Sequence, residues 1–221
     1  MILNLIFLGP PGAGKGTVAQ AILKKYSLVQ ISTGDMIRAE ISSGSDFGKK
    51  LLEITSKGGL VPDNIVGEMI KKELLKVVSN KGFKGVIFDG FPRTISQAQM
   101  LESILKELKQ SLNAVIYIES SKENVIKRIS ARWVCPVCKK SYNVLTLPPK
   151  KMGVCDLDGA KLIQREDDKV ETVSLRYDLF IEKTMPLIEY YEKKGLLIRY
   201  DGNVSLQESI EVAESIVRKL K

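Results

Sequence analysis

The stretch Gly9-Pro10-Pro11-Gly12-Ala13-Gly14-Lys15-Gly16-Thr17 follows an apolar run, residues 2–8, and precedes a run of helical composition, residues 19–26. A glycine-rich turn between a buried strand and a helix is the setting of the phosphate-binding loop. Its glycines allow backbone N–H groups to point inward, where they bind polyphosphate together with the positive end of the helix dipole. The spacing of the glycines and Lys15 therefore predicts a nucleotide-binding α/β fold.

The residue after the lysine departs from the general loop pattern, which places Ser or Thr there to bind magnesium. Gly16 takes that position, and Thr17 follows one residue later. Either the chain is not a switch or motor nucleotidase, or it holds magnesium mainly through water and the phosphates. The order Gly-Lys-Gly-Thr resembles nucleoside monophosphate kinases, and the whole loop resembles the start of adenylate kinase.

Length and composition indicate one good-sized domain with an insertion, or two small domains, because 44% of the 221 residues are apolar. No apolar run approaches the ~20 residues of a membrane span, and the first run has no basic leader, so we expect a cytoplasmic protein. The net charge is +8, but the lysines are scattered, so no nucleic-acid partner is expected. Three Cys and no His argue against a disulfide framework and exclude the commonest general base.

Strands that alternate with helices predict a parallel β-sheet core with helices on both faces, of the P-loop NTPase type. Ligands are then expected at the carboxyl ends of the strands. We also predict a helix over 122–132, and a long helix to about residue 194 that begins with a capping box at Asp168 and is kinked near Pro186. After the first, the predicted strands are 29–32, 86–88, 114–119 and 196–201.

Two insertions divide the predicted core. From Trp133 onward Gly, Pro and Cys replace helical periodicity, which indicates a small zinc-ribbon-like lid. The predicted parts are a core of 1–32, 62–132 and 169–221, an acceptor-binding segment of 33–61 and a lid of 133–168.

The third predicted strand ends at Asp89, which is followed by Gly90-Phe91-Pro92-Arg93. An acidic residue beside a phosphate loop can hold magnesium through water, although a turn-forming Asp-Gly with an incidental arginine is the simpler interpretation. Ser32-Thr33-Gly34-Asp35 with Arg38 predicts a helix N-terminus with a cation one turn in, which suits a monophosphate. A solvated arginine on a helix would have the same pattern.

Four arginines surround the predicted lid: Arg128, Arg132, Arg165 and Arg176. Arg128 and Arg132 are four residues apart in the predicted helix, so they would share one face. Solvated charge is the simpler interpretation. The more specific one is that these side chains move with the lid and bind phosphate, because the planar guanidinium fits the equatorial oxygens of a transferring phosphoryl group.

Cys135 and Cys138 are followed, after sixteen intervening residues, by Cys155 and Asp158. This spacing is typical of a structural zinc site, and thiolates and a carboxylate are all zinc ligands. Asp156 competes with Asp158 for the fourth place. A redox dithiol or free core cysteines are the alternatives. Zinc would stabilise a lid too short to build much core.

Together these motifs resemble the adenylate kinase family, in its long-lid, zinc-binding type, over essentially the whole chain. The resemblance implies reversible phosphoryl transfer from Mg-ATP to AMP, giving two ADP, in adenine nucleotide homeostasis and AMP salvage. It implies that Asp89 orients Mg²⁺ through water, that Gln97 reads the adenine of AMP, and that Asp158 completes a Zn²⁺ site. The residues implied in catalysis are Lys15, Asp89, Arg93, Arg132, Arg165 and Arg176.

The resemblance also implies two nucleotide sites, and we expect a monomer whose partners are ATP, AMP and ADP. The residues implied to bind ATP are Gly12, Ala13, Gly14, Lys15, Gly16, Thr17, Arg128, Arg132, Ser141, Tyr142 and Val204. Those implied to bind AMP are Thr33, Arg38, Gly59, Leu60, Val61, Gly90, Phe91, Pro92, Arg93, Gln97, Arg165 and Arg176. Those implied to bind zinc are Cys135, Cys138, Cys155 and Asp158.

Three other classes remain to be weighed. The long lid and Gln97 argue against a UMP or CMP kinase. Scattered charge and the single Trp133 argue against a nucleic-acid-binding protein built on a zinc ribbon. The sequence has no Asn-Lys-x-Asp or Thr-Lys-x-Asp segment that would support a GTPase.

Overall fold

The computed structural model describes residues 2–220. Their strands are β1 (Leu5–Leu8), β2 (Val29–Ser32), β3 (Val86–Asp89), β4 (Ala114–Glu119), β5 (Arg132–Val134), β6 (Ser141–Asn143) and β7 (Leu197–Asp201). Their α-helices are α1 (Lys15–Tyr26), α2 (Thr33–Ser42), α3 (Asp46–Thr55), α4 (Asp63–Val78), α5 (Ile95–Glu107), α6 (Lys122–Ser130), α7 (Val170–Leu179), α8 (Pro186–Lys193) and α9 (Leu206–Lys219).

Five parallel strands form the central sheet, in the order β2-β3-β1-β4-β7. Side chains of β1 alternate between two apolar clusters, because successive residues of a strand point to opposite faces. Ile6 and Leu8 pack in the cluster that includes α4, α5 and α8, whereas Leu5 and Phe7 pack in the one that includes α1 and α9. The predicted parallel sheet with helices on both faces is confirmed.

The strand ends bring the predicted motifs to one edge of the sheet. Ser32 and Asp89 are partners in the β2–β3 register, and β1 leads directly into Gly9. The predicted strands at 29–32 and 114–119 agree with β2 and β4. The third strand includes Asp89 itself.

The prediction that Arg128 and Arg132 share a helix face is wrong. Helix α6 ends at Ser130, and Arg132 begins strand β5, which pairs antiparallel with β6. Arg132-Trp133-Val134 supplies an aromatic and a β-branched residue, types that favour a strand over another helical turn. The two arginines therefore belong to different elements, and their side chains extend to different parts of the cleft.

The predicted capping box at Asp168 is also wrong. Helix α7 begins at Val170, so its N-cap is Lys169, and the Asp168 carboxylate instead accepts hydrogen bonds from Arg132. The predicted kink near Pro186 has a counterpart in a π-helical turn, Phe180–Thr184, which separates α7 from α8. Proline lacks an N–H and clashes with the carbonyl four residues earlier, so the helical ladder shifts before it.

The β5–β6 hairpin belongs to a small lobe with few buried apolar residues. Its buried cluster consists of Cys135, Tyr142, Cys155 and Leu162. Isolated bridges join Val134 to Ile163 and Val154 to Lys161. Within residues 2–220, no helix combines the length and apolarity needed to cross a bilayer.

Candidate active site

A cleft of about 750 Å³ lies at the carboxyl ends of the strands. It is lined by the glycine-rich loop, the start of α2, the segment after β3, and the lobe that contains β5 and β6. Because cations from all these parts face it, the cleft suits a polyanionic ligand. Its cationic side chains are Lys15, Arg38, Arg93, Arg128, Arg132, Lys139, Lys140, Arg165 and Arg176.

The glycine-rich loop wraps the N-terminus of α1. Gly14 is the N-cap at φ 92°, and no side chain caps the helix, so its first N–H groups can serve a ligand. A Cβ on Gly12 would lie 2.7 Å from Ile129 Cγ1, and one on Gly9 would lie 2.6 Å from Ile118 O. Both glycines are thus required by close packing of the loop against α6 and β4.

Lys15 is held within this loop. Its Nζ donates to Gly9 O and Pro10 O, each at 2.8 Å. Burial lowers the pKa of Lys15 to about 8, with the charge of Asp89 partly opposing the shift. Anionic phosphate oxygens would be stronger partners than these neutral carbonyls, because they add Coulomb attraction to the Lys15 ammonium.

Asp89 lies directly against the loop. A Cβ on Gly16 would lie 3.4 Å from Asp89 Oδ2, and Gln30 Nε2 donates to the same oxygen at 3.0 Å. Among residues 2–220, no hydrogen bond reaches Asp89 Oδ1. Burial raises the pKa of Asp89, and the charge of Lys15 opposes that shift. A desolvated carboxylate with one free oxygen, beside a phosphate loop, fits a hard divalent cation or its bound water.

The carbonyl of Gly90, directly after Asp89, orders a second group of cleft residues. Thr33 Oγ1 and Arg93 Nε both donate to this oxygen at 2.9 Å. Burial and the nearby charge of Arg176 lower the pKa of Arg93 to about 10. Arg38 also lines the cleft and pairs with Asp35 at 2.6 Å.

All the residues that the sequence implied for ATP line the cleft, whereas part of the AMP set does not. Gln97 is 2% exposed, and its amide is already bonded. Its Oε1 accepts from Arg93 N, and its Nε2 donates to Asp63 Oδ1, both at 2.7 Å. These two bonds leave one acceptor position on Oε1 and one N–H on Nε2. The implied AMP residues outside the cleft lining are Thr33, Gly59, Val61, Phe91 and Gln97.

Arg132 is fixed by a buried carboxylate. Its Nε donates to Asp168 Oδ2 at 2.8 Å, and its Nη2 pairs with Asp168 Oδ1. The Asp168 side chain is 2% exposed, and Arg176 Nη1 lies 3.9 Å from the same carboxylate. These bonds raise the pKa of Arg132 against the effect of burial, which is the largest influence and lowers it.

Arg176 is oriented by the segment before α7. Its Nη1 donates to Asp167 O at 2.9 Å and to Asp167 Oδ2 at 2.8 Å.

Burial, together with the neighbouring charges of Arg132 and Arg38, lowers the pKa of Arg165 to about 10. Arg128 is directed elsewhere, since its Nη2 donates to Gly202 O at 2.7 Å and to Val204 O at 3.1 Å.

The four predicted zinc ligands form one cluster. Ligand atoms of Cys135, Cys138, Cys155 and Asp158 all lie within 4.8 Å of one another. Backbone N–H groups of residues 137 and 138 point at the Cys135 sulfur, each at 3.4 Å, as suits a thiolate. Three sulfurs and a carboxylate at this spacing are compatible with tetrahedral zinc.

The competing carboxylate has other partners. Asp156 Oδ1 accepts from Lys150 N at 2.8 Å, and its Oδ2 lies 3.8 Å from Lys140 Nζ. Asp158, in contrast, lies 3.2 Å from the Cys135 sulfur. The geometry therefore favours Asp158 as the fourth donor.

A family model described as adenylate kinase matches residues 7–196. The chain belongs to the adenylate kinase family. It is 48% identical over 219 residues to an adenylate kinase of Kosmotoga olearia, which covers 99% of each chain. Similar matches are an adenylate kinase of Archaeoglobus fulgidus (46%; 99% of this chain, 100% of the relative) and one of Fervidobacterium nodosum (46%; 97% of each).

For this member of the adenylate kinase family, the sequence did not indicate the residues that hold the arginines and Asp89. Asp167 and Asp168 orient arginines, and Gln30 bonds Asp89. The sequence could have indicated a role for Gln30, because a polar residue within a short strand of a parallel sheet is unusual. The sequence could not have indicated the pairing of Asp168, because its partner Arg132 lies 36 residues away.

Proposed function

We propose that the cleft binds Mg-ATP and AMP together and transfers one phosphoryl group between them, giving two ADP. The observation that carries this proposal is the convergence of Lys15 and the arginines on one cleft, in which the Gly90 carbonyl orders Arg93. On the loop side, the N-terminus of α1 and Lys15 would bind the ATP phosphates. On the other side, Arg38 and Arg93 would bind the AMP phosphate.

The reaction does not need a strong base. The nucleophile is an AMP phosphate oxygen, which is already anionic near neutral pH, so a chain without histidine can catalyse the transfer. The arginine and lysine side chains would position both phosphates and stabilise charge on the equatorial oxygens. Removing one such donor would cost roughly 10²–10³ in rate.

Asp89 is the residue that would hold magnesium, through bound water. Magnesium, when bound with ATP, neutralises phosphate charge during transfer. Gly16 supplies no hydroxyl, so the orientation of the Asp89 carboxylate matters more to the metal. Its place in the cleft lining and the hydrogen bond that holds only its Oδ2 support this role.

The lobe around the cysteine cluster would act as a lid. Zinc held by Cys135, Cys138, Cys155 and Asp158 would stabilise a fold whose own apolar cluster is small. We place the lid at 133–168 and the AMP-binding segment at 33–61, the remainder being core. Closure of both would exclude water from the phosphates.

An acceptor screen tests the function. ADP formation from Mg-ATP with AMP, CMP, UMP and GMP should be rapid with AMP alone. Preference for UMP or CMP would favour the other class of monophosphate kinase. Salt-sensitive nucleic-acid binding in a gel-shift assay, without kinase activity, would sink the proposal. Light scattering would check the further prediction of a monomer, and fractionation would check that of a cytoplasmic protein.

A further inference from the structure

Two hydrogen bonds form a chain from Gln20 through Gln30 to Asp89, and each donates toward Asp89. Gln20 Nε2 donates to Gln30 Oε1 at 2.7 Å, and Gln30 Nε2 donates to Asp89 Oδ2 at 3.0 Å. A glutamine amide has one acceptor and one donor end, so a donor on Oε1 fixes which end faces the carboxylate. Gln20 is exposed and Gln30 is half-buried, which places the chain of bonds from solvent to the cleft.

This chain of bonds makes the two carboxylate oxygens of Asp89 different. Oδ2 is held by Gln30 and lies on the side of Gly16, whereas Oδ1 accepts no hydrogen bond from residues 2–220. A carboxylate without Gln30 could rotate about its last bond and exchange the two oxygens. Hydrogen-bonded partners that orient a metal-directed ligand typically affect metal affinity by about 10–100-fold.

We propose that Gln30 is a positioning residue that fixes the orientation of the Asp89 carboxylate toward the water bound to magnesium. The proposal rests on the proposed function, because it requires Mg-ATP in this cleft. It follows from Gly16 as much as from Gln30. With no hydroxyl at that position of the loop, the Asp89 carboxylate and the residue that orients it matter more to the metal.

The test compares ATP binding with and without the metal. Isothermal titration calorimetry would measure the dissociation constant of ATP in excess EDTA and in excess Mg²⁺, for wild type and for Gln30→Met. Methionine keeps the length of the side chain and removes the donor. We expect the EDTA value to stay within about twofold of wild type, and the effect of Mg²⁺ on affinity to fall about tenfold.

Two further variants provide an intermediate case and a control. Gln20→Met removes only the bond that fixes the Gln30 amide, so a smaller loss of the Mg²⁺ effect is expected. Gln99→Met changes an exposed glutamine on α5, outside the cleft lining, and should match wild type in both conditions. Equal weakening of ATP in EDTA and in Mg²⁺ for Gln30→Met would overturn the inference, as would unchanged values in both.

The inference and the proposed function fail in different ways. If the wild type forms ADP from Mg-ATP and AMP while Gln30→Met keeps the full Mg²⁺ effect, the inference alone is wrong. If the wild type binds no ATP in either condition, the proposed function is wrong and the inference fails with it.

Discussion

The most discriminating single substitution is Asp168→Asn. The sequence pattern predicts that Asp168 caps a helix. Because asparagine caps a helix as well as aspartate does, a capping role predicts almost no change in stability for this substitution. The structure instead places the carboxylate, 2% exposed, against Arg132. The substitution would leave the Arg132 guanidinium without its anionic partner.

The magnitude follows from burial. Removing one member of a fully buried ion pair costs about 3–5 kcal/mol in the free energy of unfolding. The Arg132 side chain keeps 21% exposure, and asparagine retains one acceptor, so we expect about 2 kcal/mol. For a chain of this size that corresponds to a fall in Tm of about 4–8 °C.

Urea unfolding followed by circular dichroism would measure the change, as a lower midpoint at unchanged slope. Asp178→Asn is the matched control, because Asp178 is 59% exposed and pairs with Lys122 at the surface. Its loss should stay below about 0.5 kcal/mol. A value for Asp168→Asn within about 0.5 kcal/mol of wild type would refute the ion-pair account.

Two other predictions concern the loop lysine and the lid. Lys15, with a pKa lowered to about 8, loses its positive charge as the pH rises through that value, so kcat/KM for ATP should fall about tenfold per pH unit above about 8. A profile that stays flat to about pH 10 would contradict this. Asp158→Asn should lower the zinc content measured by atomic absorption, whereas Asp156→Asn should keep nearly one zinc per chain; the reverse order would exchange their roles.

The sheet and the phosphate loop could be predicted because their signals are local. An apolar strand, glycines at set spacing and a following helix all lie within one stretch, residues 2–26, and the structure agrees with each. The end of the third strand at Asp89 was predictable for the same reason, since it closes a short apolar run.

The partners of the charged groups were not predictable, because they depend on tertiary contacts. Nothing near Arg132 in sequence indicates that the helix stops at Ser130, or that the guanidinium meets Asp168 across the base of the lid. Gln97 shows the same limit. Its role in reading adenine stays a prediction, and the sequence did not indicate that its amide bonds Arg93 N and Asp63.

The central claim is that this cleft transfers a phosphoryl group from Mg-ATP to AMP, with Lys15 in contact with the transferred charge. The direct measurement is coupled ADP formation from the two nucleotides, for wild type, Lys15→Ala and the exposed control Lys24→Ala. We predict two ADP per AMP consumed, a rate roughly 10²–10³ lower for Lys15→Ala, and a wild-type rate for Lys24→Ala. No ADP from the wild type, or full activity in Lys15→Ala, would contradict the account.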